Sequence, residues 1–147
     1  MRVLVLAMTA LLSSLAVQAA DPIGRVKRVS GSVWVDRAGQ SLAVLPGMAL
    51  QVGDRLRTGA DGMAGVTLAD DSLLTAGHNS QLLINDFQFN TTTHEGGMLA
   101  TLSRGSLHVV TGLIAKKTPE KVNFRTPSVV LGVRGTEFVV DVPEGRE

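Results

Sequence analysis

The sequence contains no cysteine and no tyrosine among its 147 residues. Without thiols there is no disulfide framework, no thiolate metal site and no thiol nucleophile. Aromatic residues are scarce, with Trp34, Phe87, Phe89, Phe124 and Phe138 making up the whole set. Charge of one sign is lacking as well, since 14 Lys and Arg stand against 13 Asp and Glu. A nucleic-acid surface needs clustered cations and often stacking platforms, so no nucleic-acid partner is expected. The one basic cluster, "AKKTPEK" at 115–121, reads as a solvated loop holding a single helical turn.

Long apolar runs are missing except at the start. There, "MRVLVLAMTALLSSLAVQAAD" has a basic residue, Arg2, then an apolar stretch to Val17, and Val17 with Ala19 supplies the small residues of a cleavage site. This pattern reads as a secretory signal peptide over residues 1–19, a helix cut off after Ala19. The stretch is short of the roughly 20 apolar residues a spanning helix needs, so no membrane insertion is expected after cleavage. Removing these 19 residues leaves 128 and takes away one cation, so that 13 basic residues face 13 acidic ones. One domain, residues 20–147, is therefore expected in the periplasm. A chain of that length buries roughly two-thirds of its unfolded surface and needs no covalent staple.

What is abundant is glycine, 16 residues of it, falling between short alternating segments. In "SVWVDR" Val33 and Val35 point one way and Trp34 with Asp36 the other, which is the period of a strand. "GVTLADDSLLTAG" reads as a hairpin with Asp70 and Asp71 at its tip, because aspartates bond their own backbone in tight turns. "MLATLSRGSLHVV" reads as two strands meeting at Arg104 and Gly105, and "KVNFRT" turns Val122 and Phe124 inward. Turn signals every eight to twelve residues predict an all-β domain of two packed, twisted sheets, with no long helix in the mature chain. A weak echo, "GSVWV" at 31, "GSLHV" at 105 and "GTEFV" at 135, suggests a recurring strand start. In it glycine permits a bend and a hydroxyl bonds a loose backbone group.

Groupings that could carry chemistry are few. Asp54, in "VGDRLRTG", is placed to accept turn amides or pair with an arginine, and no second acid or histidine matches it for acid–base work. His78, His94 and His108 lack the close spacing of a metal site, so no metal or cofactor is expected. Ser106 and His108 share a strand face but lack a nucleophile elbow, so the chain is not expected to be an enzyme. In "GVRGTEFVVDV", Arg134 stands between glycines at a bend, where it is expected to bond carbonyls or a carboxylate such as Asp54. Gly135 is expected to take a backbone geometry closed to β-branched residues.

Three segments together resemble the FecR family domain: "GRVKRVSGSVWV", "LQVGDRLRTGADGMAGVTLADDSLLTAGHNSQLLI" and "FRTPSVVLGVRGTEFVV". The last is the most specific, with Thr126, Pro127, Gly132, Arg134, Gly135, Thr136 and Phe138 falling on the family's TP…G-x-RGT-x-F pattern. Gly53, Asp54, Leu56, Thr58 and Gly59 carry the middle. At the hairpin tip "ADDS" departs from the usual aspartate-glycine-serine, which leaves room for a different turn. The resemblance implies a rolled or β-helix-like winding, and family-motif residues with structural roles. The family's regulators carry an anti-sigma segment, a membrane helix and a receptor-contacting module, and this sequence resembles instead the free-standing exported form. The expected function is a non-enzymatic, signalling-related interaction module that binds another cell-envelope protein. The alternative is a periplasmic ligand-sensing domain for a carbohydrate or an iron complex.

Overall fold

A computed structural model describes residues 21–133 and 135–143. The signal-peptide reading of residues 1–19 and the expected contacts of Arg134 lie outside the described residues. The chain is mostly β. It runs through β1 (Gly24–Ser30), β2 (Val33–Arg37), β3 (Gln40–Ala43), β4 (Ala49–Leu50), β5 (Arg55–Thr58) and β6 (Met63–Leu68). It continues through β7 (Leu73–Ala76), β8 (Gln81–Phe89) and β9 (Gly96–Val110) to a short helix α1 (Leu113–Lys117) and a 3₁₀ turn at Pro119–Lys121. β10 (Val122–Arg125), β11 (Val130–Gly132) and β12 (Glu137–Val142) close it. The single helical turn foreseen in "AKKTPEK" thus begins two residues earlier, at Leu113.

Hydrogen bonding links the strands in the order β3-β2-β5-β8-β9-β7-β6-β1-β4, with β10 and β12 hung on β9 and β11 on β10. The expected division into two sheets is therefore not drawn by the ladders, because β9 serves both groups. Its first part pairs with β8 and, in parallel, with β10. Its last part pairs with β7 and β12. The sequence reads this segment as two strands because the buried set changes phase within it, from Met98, Ala100 and Leu102 to Leu107 and Val109. A one-residue register shift opposite Gln81 and Leu82 accounts for the change. An extra residue on one side of a ladder moves every later side chain to the other face. Gly105, at φ +88°, lets the strand continue through the bend. A second shift, at Ile84–Asp86, moves the buried phase of β8 from Leu82 and Ile84 to Phe87.

The core follows the alternation expected of the strands. Val33, Val35, Leu56, Val66, Leu68, Leu74, Val122 and Phe124 are all buried. Val52 and Leu73 are instead exposed, at 46% and 45%. At the β6–β7 hairpin tip Asp71 sits at φ +68°. The left-handed residue that a glycine would favour is thus present, supplied by an aspartate, whose short polar side chain tolerates that region.

Candidate functional site

Three polar nodes are buried in this fold, and two of them hold motif residues. Gly53, at φ +90°, turns the chain into β5 and donates its N–H to Ile84 O at 2.8 Å. This aims Asp54 inward, where it is 1% exposed. Its carboxylate accepts Arg37 Nε at 2.8 Å, Arg37 Nη2 at 2.6 Å and the Gln51 amide at 2.8 Å. Both sequence readings of Asp54, turn acceptor and arginine partner, hold at once, and the arginine is Arg37. The hydrogen bonds that Arg37 donates to Asp54 hold the guanidinium pKa above its ordinary value. A similar exchange on the outer surface, between Arg57 and Asp36 at 2.6 and 2.9 Å, holds the Asp36 carboxyl below its ordinary value.

Thr58 and Gly59 form the second node, at the end of β5. Thr58 Oγ1 donates to Gly77 O and accepts the Ser80 amide, at 2.5 and 2.9 Å. Ser80 is fully buried and reaches on to β9, where its hydroxyl both donates to Ser106 O and accepts the Ser106 amide, each at 3.0 Å. Gly59 donates its amide to Ser32 O at 2.9 Å. In the glycine echo, the groups bonded here are therefore the backbones of Ser32 and Ser106, not their hydroxyls. The glycine demand is real at two of its three members. Gly31 and Gly105 have positive φ, and an added Cβ would overlap Asp61 O and Ser80 respectively. At Gly135 a Cβ would meet nothing closer than Glu137 O at 3.9 Å, so crowding does not require glycine there.

The third node escapes sequence reading. Asp70, at the hairpin tip, is 1% exposed and accepts the Ser72 amide, the Ser72 hydroxyl and the Ile114 amide at 3.1, 2.9 and 3.3 Å. Its own carbonyl accepts the Leu113 amide at 2.8 Å, and Ser72 Oγ accepts that of Gly112 at 2.9 Å. The hairpin thereby caps α1 from outside, satisfying amides that a helix start leaves open. The local signal was Asp-x-Ser, but a partner 44 residues away leaves no trace in local pattern. Asp70→Ala is expected to cost about 2 kcal/mol, as buried amides lose their acceptor. Hydrogen exchange at Ile114 should accelerate with it, and unchanged protection there would contradict the capping role.

The remaining motif residues close the sheet. Thr126 Oγ1 accepts the Ser128 and Val129 amides at 3.4 and 3.2 Å, and the Thr126 amide donates to Val129 O at 2.8 Å. With Pro127 next in line, this is the turn joining β10 to β11. Gly132 ends β11 opposite Asn123. Thr136 O accepts the Thr111 amide at 2.8 Å, and Phe138 packs edge-on against Phe124 with centroids 5.4 Å apart. The two motif groups are not brought together, since β5 pairs with β2 and β8 while β12 pairs with β9. His94 stacks on Phe89 at 6.0 Å, and His108 Nε2 meets Glu137 Oε1 at 2.7 Å. Among the described residues no hydrogen bond joins Ser106 to His108, and the Ser106 hydroxyl lies against Gly77. Also among the described residues, no group of three or more His, Asp or Glu is placed to hold a metal.

Among the described strands β12 is paired on one side only, with β9. Thr111 and Thr136 form a bonded pair, which sets the phase of the β9–β12 ladder. By antiparallel alternation Phe138, Val140 and Val142 bond to β9, and the backbone groups of Glu137, Val139 and Asp141 point to the side on which no described strand pairs. Val139 is 65% exposed between the two acidic side chains. A family model described as "FecR protein" matches residues 54–146, more than half of the chain. The chain belongs to the FecR family. The FecR match begins at the buried Asp54 and includes the Thr58 and Asp70 nodes and β12, while β1 to β4 and Gly53 precede it. No curated protein and no solved structure matches the chain.

Proposed function

We propose that this FecR-family chain is a non-enzymatic, signalling-related module of the periplasm that binds another cell-envelope protein by strand addition at β12. The observation that carries this reading is the open edge, where three residues in a row of the outward set present backbone groups that no described strand pairs. Such an edge supplies main-chain hydrogen bonds to an incoming strand, and alternate side chains supply selectivity. Glu137 and Asp141 flanking Val139 repel a second β12 and favour a partner strand with an apolar centre and cationic flanks. One buried node serves this edge, because Ser80 bonds Ser106 at one end of the β9 segment on which β12 lies, while Thr111 at the other end bonds Thr136.

A photo-crosslinking residue at Val139 in intact cells is expected to give one specific adduct, and the same residue at Ser41, on the far edge strand β3, none. Val139→Pro removes an outward N–H without touching the β9 ladder. It should reduce partner recovery about tenfold, the loss of roughly 1.4 kcal/mol of binding, at an unchanged melting temperature. Recovery of monomer alone from both positions would overturn the proposal.

A further inference from the structure

On the outer face of β8, β9 and β10 lies a polar trough of about 1000 Å³, away from the β12 edge. Its floor is β9, where Gly97 carries no side chain and Leu99 lies half-buried. One wall is Asp86 and Gln88 of β8, and the other is Lys121, Asn123 and Arg125. The register places Gln88 opposite Gly97, and Asp86, Leu99 and Asn123 in one row. The floor exists because of the glycine. A Cβ at Gly97 would stand 3.4 Å from Lys121 O, so a small side chain fits and a large one fills the space.

We infer that this trough is a binding site for a neutral polyhydroxylated ligand, a short glycan chain. Three observations lead there. First, the wall side chains are not spent on the protein. The buried or half-buried acids Asp36, Asp54 and Asp70 are all bonded internally, whereas the wall acid Asp86 is exposed. Asp86, Gln88, Lys121 and Arg125 are exposed and Asn123 is half-buried, and none of them forms a side-chain hydrogen bond or ion pair with any described residue. Gln88 and Lys121 flank Gly97, and Asp86 and Asn123 flank Leu99. Carboxylate acceptors, ammonium donors and amides with both functions match hydroxyl groups, each of which donates and accepts.

Second, the charges nearly cancel, with Asp86, Glu95 and Glu120 against Lys121 and Arg125, so the trough selects neither a polyanion nor a polycation. Third, the backbone of the floor is already used, because β9 is paired with β8 on one side and β10 on the other, and β10 is paired in turn with β11. A peptide cannot add to it as a strand, and recognition falls to side chains. Leu99 and the rim residue Phe89 offer apolar surface to sugar C–H faces. Spanned by three strands and three residue steps, the footprint is roughly 10 by 10 Å, room for about two sugar rings.

The test is an amide-resolved NMR titration of the purified chain with soluble gluco-, manno- and N-acetylglucosamine oligosaccharides of three to six units. A short unstructured peptide serves as the control. Saturable shifts centred on residues 86–88, 97–99 and 121–125 are expected with at least one sugar series. Gly97→Trp should abolish them, and Asn123→Ala, at a half-exposed surface position, should weaken binding about tenfold, as expected for one lost polar anchor. The proposal is overturned if no series shifts these amides, if the peptide shifts them and the sugars do not, or if Asn123→Ala binds as the parent does. None of these outcomes touches β12, so the strand-addition reading stands or falls separately.

Discussion

Gly105→Val is expected to destabilise the domain by at least about 3 kcal/mol. Two costs fall on one atom. The backbone at 105 sits at φ +88°, a region that costs an L side chain roughly 1–2 kcal/mol and a β-branched one more. The added Cβ would also overlap Ser80 Oγ and Cα and lie 2.7 Å from Ser80 Cβ. Forcing extra atoms into a packed interior costs about 1–3 kcal/mol, and Ser80 is fully buried. Ser80 cannot step aside cheaply, because its hydroxyl makes two bonds to the Ser106 backbone and its amide is held by Thr58.

The effect should show as a fall in melting temperature of about 10 °C or more. It separates into its parts in a double-mutant cycle. Gly105→Ala keeps both costs in smaller form, and combining it with Ser80→Gly removes the overlap with Oγ and Cβ while leaving the approach to the Cα of residue 80 and the backbone cost. The pair should therefore be less destabilised than the two single changes predict by addition. Strict additivity, or an unchanged midpoint for Gly105→Val, would show that the bend in β9 does not depend on this glycine.

The same residue illustrates what was legible. Period two placed Val33, Val35, Val122 and Phe124 inside, because one buried face of a strand is written in consecutive residues. Asp70 and Asp71 marked a hairpin by local turn chemistry. Arg104 and Gly105 marked a break that is in fact a bend, since a phase change in the buried set looks the same whether the strand ends or takes in one extra residue. Among the glycines of the echo, the left-handed backbone and the close approach are found at Gly31 and Gly105. Positive φ is a property of the folded path, and a sequence offers it as an option at every glycine.

What could not be read is long-range. The parallel pairing of β10 with β9 and the reach of Asp70 to Ile114 depend on registers set by the whole sheet. So does the gathering of Asp86, Gly97 and Asn123 around one trough. Each of these residues is ordinary in its own segment.

Arg37→Ala is expected to cost about 3–5 kcal/mol, the range for removing one partner of a buried ion pair. The pair is asymmetric, with the Arg37 side chain 27% exposed and that of Asp54 2%. Without the guanidinium, Asp54 keeps one strong donor, the Gln51 amide, and an interior carboxylate with one partner is poorly compensated. Arg37→Lys should fall between, because an ammonium cannot bond both carboxylate oxygens while also reaching Ala49 O, as Nη2 does at 3.0 Å. The decisive comparison is Arg37→Ala with Asp54→Asn. Replacing the stranded charge by a neutral amide should recover part of the loss, measured by urea unfolding. If the double variant is as unstable as Arg37→Ala alone, the cost lies in lost packing of the arginine stem and not in the buried charge. The same pair bears on where the domain begins. The family match starts at Asp54, yet Asp54 is satisfied by a residue of β2, and β5 is paired with β2 along its length. A fragment reduced to residues 54–147 would carry both an unpaired interior carboxylate and a bare edge at β5, and it should fail to unfold cooperatively where the longer chain does.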